Sequence, residues 1–221
     1  MQEKRNLKSS VKVFVAVVFF GMAITSAAQE ASETKFRVGG IAGMNLSNFY
    51  GSDMSGSSYK ATAGMRLGVV GEYSITSWFA VSPELLFAQK GAQVKESLGG
   101  GEWAKFVMRP CYLQIPINAM GRYKINDDLS VFGIFGPYLG FGLGGNYIYK
   151  DSHGNKEKNQ LFGKDSEMRR FDFGLTFGAG AEWKNIFLRL SYELGLVNLA
   201  KDVSMKNGTF NVSVGYYFLI K

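Results

Sequence analysis

Between residues 171 and 196 the chain alternates apolar and polar positions almost without a break. Phe171, Phe173, Leu175, Phe177, Ala179, Ala181 and Trp183 occupy one parity, and Asp172, Gly174, Thr176, Gly178, Gly180 and Glu182 the other. After Lys184-Asn185 the pattern resumes, with Ile186, Leu188, Leu190, Tyr192, Leu194 and Leu196 set against Phe187, Arg189, Ser191, Glu193 and Gly195. A period of two is the signature of a β-strand. Soluble strands run about 5–6 residues, whereas a tilted membrane-crossing strand takes roughly 9–11 plus its interfacial ends. The pattern predicts a transmembrane hairpin, apolar on one face and charged on the other.

The same reading predicts eight strands: 36–46, 63–75, 78–90, 106–125, 129–149, 171–183, 186–196 and 209–220. Strand 129–149 sets Val131, Phe135, Leu139, Phe141 and Leu143 against a mostly glycine face. Pro83, Pro110, Pro116 and Pro137 fall inside strands, and each predicts a bulge or a local register defect, because proline lacks a ladder donor. Tight connections (Thr76-Ser77, Asn126-Asp127-Asp128, Lys184-Asn185) alternate with long ones at 47–62, 91–105, 150–168 and 197–208. An up-and-down meander follows, with short turns at one end and long loops at the other, the asymmetry of outer-membrane barrels. The fold class is all-β: an eight-stranded antiparallel up-and-down transmembrane β-barrel.

Which face meets lipid is a question of cost. The polar set contains Arg37, Arg66, Glu72, Glu84, Arg122, Arg170, Asp172, Glu182, Arg189 and Glu193. An Arg or Lys at mid-bilayer costs about 2–4 kcal/mol, so turning this set outward would exceed a typical domain's whole stability of about 5–15 kcal/mol. The charges must face inward, five arginines with five acids. Eight strands leave room for little besides side chains. The expectation is a structural lumen charge network that plugs the barrel.

Residues 1–28 read as a cleavable signal peptide preceding a barrel domain at 29–221. Lys4, Arg5, Lys8 and Lys12 form a basic start, 13–24 an apolar stretch, and Ser26-Ala27-Ala28 a small-residue cleavage site. The whole chain carries a net charge of +7. Four of those cations and Glu3 leave with the leader, so the mature chain is near +4. That balance, with no basic run interleaved with aromatics, excludes a nucleic-acid partner. With Cys111 as the single cysteine there is no intrachain disulfide and no multi-cysteine metal site. Gly is abundant at 28 and Pro scarce at 4, which suits twisted sheets better than disorder.

Candidate chemistry is sparse. The single histidine, His153, sits in the loop segment Asp151-Ser152-His153-Gly154-Asn155, reads as solvated, and leaves no partner for a nucleophile–His–acid site. The run Gly140-Phe141-Gly142-Leu143-Gly144-Gly145 fits G-x-G-x-x-G, but no helix follows, and it reads as small residues on an inner wall. No cofactor, metal or catalytic residue is expected. The charged 150–168 loop (Lys150, Asp151, Lys156, Glu157, Lys158, Lys164, Asp165, Glu167) reads as a soluble cap, with contact to lipopolysaccharide or a partner as its functional alternative.

Tyr112-Leu113-Gln114-Ile115-Pro116-Ile117 resembles the YLxIP strand of the Bacteroidetes outer-membrane β-barrel domain, the porin-like group related to PorT. The segments 171–175 and 178–182 are similar to its DxGxxxGxGxE strand, and 192–199 to its YxxGLxNL segment. The closing 211–218 also fits, although Leu219-Ile220-Lys221 follow Phe218 where many such barrels end on an aromatic residue. The resemblance implies an eight-stranded outer-membrane barrel with no defined activity. Its partners would be outer-membrane lipid and lipopolysaccharide, and the barrel-assembly machinery during insertion. The functional expectation is a non-enzymatic structural or interaction protein; the alternatives are a small-solute channel and an accessory component of protein secretion.

Overall fold

The computed structural model describes residues 36–51, 59–100, 102–162, 168–200 and 204–218. The leader and the terminal Leu219-Ile220-Lys221 lie outside the described residues. Ten strands form one antiparallel sheet: β1 (Phe36–Tyr50), β2 (Tyr59–Ser74), β3 (Phe79–Gln89), β4 (Ala92–Gly99), β5 (Glu102–Lys124), β6 (Leu129–Asp151), β7 (Lys156–Gln160), β8 (Phe171–Trp183), β9 (Ile186–Gly195) and β10 (Lys206–Phe218). Pairing closes an eight-membered ring β1-β2-β3-β5-β6-β8-β9-β10, with β10 returning to β1 from Val38↔Phe218 to Tyr50↔Lys206. β4 continues β3 beyond Gly91, and β7 folds back on the outer end of β6. Closure removes the free edges that an open sheet would expose.

At one end the connections are tight. Asn126 Oδ1 accepts the backbone N–H of Asp128 (3.0 Å) and of Leu129 (2.8 Å), while Thr76 Oγ1 accepts that of Phe79 (3.0 Å). Lys184 turns the third connection with a φ of 56°. Short polar side chains that bond their own backbone make such turns compact.

The faces sort as cost requires. Outward positions stay exposed and apolar, among them Met65, Val69, Leu188, Leu190 and Val214. Large aromatics ring the tight-turn end (Tyr73, Trp78, Tyr123, Trp183), and Phe141 and Phe171 stand opposite each other toward the far end. Such a surface is untenable in water but matches the apolar band and aromatic girdles of a membrane barrel. Among the described residues no helix is long and apolar enough to cross a membrane. The strands do the crossing.

Three expectations need correction. The segment 91–105 is not a loop: β4 and the start of β5 pair from Ala92↔Met108 to Gly99↔Glu102. Above the membrane both faces of a strand can be polar, so the apolar alternation fades while the ladder continues. The 150–168 segment likewise contains β7. Second, of the four prolines only Pro110 lies beside a register shift, the bulge at Cys111/Tyr112. Beside Pro83, Pro116 and Pro137 the ladder skips residues but keeps its register. Third, the inner face of β6 is not mostly glycine: Phe132, Ile134 and Tyr138 are buried there.

Candidate functional site: the filled lumen

The lumen is occupied along its length by side chains in three successive layers. Nearest the tight turns, Arg37 of β1 stands directly opposite Glu72 of β2 and donates to Glu72 Oε2 (2.8 Å) and Glu182 Oε2 (3.1 Å). Arg122 of β5 reaches the same acids, Glu72 Oε1 at 2.9 Å and Glu182 Oε2 at 3.0 Å. Two arginines and two acids thus tie β1, β2, β5 and β8 across the barrel, with Arg37 also stacked 4.2 Å from the Tyr217 ring centroid. Both guanidinium side chains keep about 15% of their surface open, so this cluster is edged by water.

Above it lies an apolar layer of Ile41, Val70, Ala80, Leu86, Met120, Phe132, Ile134, Phe187 and Tyr217. Phe187 is its hub, edge-on to Phe132 (6.3 Å between centroids) and tilted against Tyr217 (5.0 Å). Apolar residues inside a membrane barrel are consistent with the charges because this layer contacts no lipid. It fills the bore.

The third layer is a zigzag of alternating charge. Arg189 grips Glu84 through both terminal nitrogens (2.6 and 2.9 Å). Arg66 bridges Glu84 (3.8 Å) and Glu193 (3.1 Å), and Lys90 bridges Glu193 (2.9 Å) and Asp172 (3.4 Å). Neutral donors add bonds: Asn118 to Glu84 (3.0 Å), Gln114 to Glu193 (3.2 Å), Tyr138 and Asn207 to Asp172 (3.2 and 2.8 Å). The Lys90 ammonium also lies 4.5 Å from the Tyr138 ring centroid. All six charged side chains of this layer are buried. A buried charge persists only when paired and hydrogen-bonded, and three cations against three acids meet that condition.

Nine of the ten charges singled out in the sequence therefore sit in the two clusters. Arg170 does not. It precedes β8 at the rim, donates to the carbonyls of Gly142 (2.9 Å) and Phe162 (2.8 Å), and stacks against the Phe162 ring. There it holds a roof, in which Leu161 and Phe162 pack on Tyr112. A Cβ at Gly142 would sit 2.6 Å from Phe162 Cζ, whereas one at Gly145 would first meet the Arg109 carbonyl oxygen and Pro110 Cα of the neighbouring strand, each at 2.7 Å. Gly142 thus leaves room for this roof. Lys90 was missed, although it shares the even parity of Glu84 and Ala88 at the end of its strand. His153 lies exposed, its Nε2 3.5 Å from Glu102 Oε1. Hydrogen bonds from the Asn155 side-chain amide and from neighbouring backbone N–H groups hold the Asp151 carboxyl below its usual range. Among the described residues no cluster of His, Cys, Asp or Glu is arranged to hold a metal ion.

A family model described as "Outer membrane protein beta-barrel domain" matches residues 27–201. The chain belongs to that family. Its place is the outer membrane, and outer-membrane barrels of this kind generally put their short turns on the periplasmic side and are generally non-enzymatic. Among solved structures this barrel is similar to Ail, the attachment invasion locus protein of Yersinia pestis, at 19% identity, covering 83% of this chain and 99% of that one with a TM-score of 0.42. It is also similar to OprG of Pseudomonas aeruginosa (14%, 84% and 96%, TM-score 0.42) and to Neisserial surface protein A (13%, 83% and 97%, TM-score 0.40). No curated protein matches the sequence.

Proposed function

We propose that this outer-membrane barrel is a sealed, non-enzymatic structural and interaction protein whose working surface is its extracellular end. The observation that carries this reading is the apolar layer around Phe187, which spans the bore between two charge-neutral clusters. An ion crossing it would shed its hydration against hydrocarbon side chains and then meet charges already paired. Neither cluster has an unpaired cation or acid to offer a solute. In the same reading residues 1–28 are an export signal removed before insertion, the assembly machinery inserts the barrel, and its surroundings are outer-membrane lipid and lipopolysaccharide. The resemblance to the Bacteroidetes, PorT-related group belongs to this proposal. A secretion-accessory role would use the same extracellular surface.

The test is electrical. Purified barrel in planar bilayers is expected to leave the membrane insulating, and liposomes carrying it are expected not to swell with small sugars. Sustained single-channel conductance by the folded barrel would replace this reading with a small-solute channel.

A further inference from the structure

The outer extension of the sheet sorts its charges by face. Cross-strand pairing places Lys95 of β4 opposite Lys105 of β5, Lys105 opposite Lys150 of β6, and Lys150 opposite Lys156 of β7. Four lysines thus stand in one row across four strands. Opposed residues in a ladder have Cβ atoms about 4.5–5.5 Å apart, and like charges set so are destabilising. Three further cations share the face: Lys60 of β2, opposite Gln93, Arg109, two pairs below, and Lys158, opposite Ile148. Among the described residues none of the seven forms an ion pair with an acid. Glu102, Asp151 and Glu157 take the opposite parity, where Phe106 packs on Tyr147 and Tyr149.

The direction of the cationic face follows from strand parity. Tyr112, Gln114, Asn118 and Met120 of β5 point into the lumen. Arg109 and Lys105 therefore continue the outward, lipid-facing wall, and the bulge at Cys111/Tyr112 keeps Lys150 in step with Lys105. Leu113 and Ile115 lie lower on the same wall. Trp103, two residues farther out on the same face, has its ring centroid 4.7 Å from the Lys95 ammonium. The cations climb this wall away from the apolar band, Arg109 four residues and Lys105 eight residues beyond Leu113, with no ion pair to an acid among the described residues.

We propose that this face binds the phosphate groups of outer-leaflet glycolipid, the lysine row Lys95, Lys105, Lys150 and Lys156 lying against the phosphorylated saccharide that rises above the acyl chains covering the wall below. The repulsion within the row is relieved when anions lie between the ammoniums. Continuity with the lipid-facing wall favours a membrane lipid over a soluble polyanion, which would not require the cations to face outward above that band. The inference rests on the reading of the extracellular end as the working surface and names what one part of it contacts.

The test uses the full barrel purified in zwitterionic detergent, titrated with lipopolysaccharide in mixed micelles, either native or enzymatically dephosphorylated. Native lipopolysaccharide is expected to bind in a salt-sensitive way and the dephosphorylated form weakly. Changing all four lysines to Gln is expected to weaken binding on the order of several hundredfold, about fivefold per lysine, and changing them to Arg to preserve it. Gel mobility before and after boiling checks that each variant is folded. Should the fourfold variant fail to fold, K105Q/K150Q serves, with an expected loss of about 25-fold. Unchanged binding by the folded Gln variants would overturn the proposal. So would binding of dextran sulfate through these lysines with no preference for native over dephosphorylated lipopolysaccharide. Either failure leaves the sealed-barrel reading intact, because that reading is decided by conductance.

Discussion

The two charge clusters in the lumen use the same chemistry in different surroundings. The cluster at the tight-turn end joins Arg37 and Arg122 to Glu72 and Glu182 with water at its edge. The upper cluster joins Arg189, Arg66 and Lys90 to Glu84, Glu193 and Asp172, closed off by the apolar layer below and the Leu161–Phe162 roof above. A water-edged cluster can lose a member and let solvent fill the place. A buried one cannot, because losing one member leaves the layer with a net charge that no solvent compensates. The upper cluster is therefore where the barrel is most vulnerable, and the lower one where it tolerates change. Stability of the folded barrel in phospholipid vesicles, followed by denaturant titration and by gel mobility of unboiled sample, separates the two.

The largest effect is expected from Glu193→Gln. Glu193 bonds Arg66, Lys90 and Gln114 at once. Its neutralisation leaves two buried cations with one acid fewer, a loss of about 3–5 kcal/mol. The double variant Glu193→Gln with Arg66→Met restores neutrality, leaving Arg189 on Glu84 and Lys90 on Asp172, and is expected to recover much of that loss, since removing both partners of a pair is far cheaper than removing one. A double variant as unstable as the single one would show that shape, not charge balance, governs this layer.

Phe187→Ala comes next. Truncating a buried aromatic costs about 3–5 kcal/mol, and here it also opens the layer that separates the clusters. Bilayer recordings of this variant are expected to show leak events that the parent barrel lacks; a silent, fully stable variant would mean that Phe132 and Tyr217 close the gap. Arg37→Ala should cost much less, about 1–2 kcal/mol, because Arg122 still reaches both acids and water enters at the edge. Its cost is expected to shrink as salt is raised, whereas that of Glu193→Gln should hardly move, since screening acts on exposed charges. Equal salt dependence at both sites would remove the distinction between wet and dry clusters.

How much of this could be read from the chain follows from where the alternation is forced. Inside the bilayer a strand has lipid on one side and lumen on the other, so β8 and β9 declare both faces, and their parity alone puts Asp172, Glu182, Arg189 and Glu193 inside. Proline positions misled, because a missing donor interrupts a ladder without moving its register. Beyond the membrane both sides of a strand meet water, so β4 and β7 read as long connections although they carry the two ends of the lysine row. Lys90 was hidden for a related reason: a lysine at the last position of a strand resembles a solvated end, and nothing local shows that Asp172 and Glu193 approach it from across the barrel. Arg170 was the converse case, a cation of inward parity one residue before its strand begins. The apolar layer escaped notice because Phe132, Ile134 and Phe187 break the simple rule that membrane barrels are polar inside.

The smallest expected effect separates the roof from the barrel beneath it. Arg170 donates to the backbone carbonyls of Gly142 and Phe162, and Phe162 meets Tyr112 edge-on with their ring centroids 6.2 Å apart. Gly142→Val places side-chain carbon where the Phe162 ring lies, so the ring must leave. Valine suits the strand backbone, and the displaced segment is a connection, so global stability should fall by no more than about 1 kcal/mol. The local consequence should be clear: limited proteolysis of barrel-containing vesicles is expected to cut near residues 161–170 in the variant and spare the parent. Arg170→Lys is the milder companion, because an ammonium lacks the fork that reaches two carbonyls at once. If Gly142→Val instead destabilised the barrel as much as Glu193→Gln does, the roof would have to be counted as part of the upper cluster, its ring keeping water from Asp172 and Lys90.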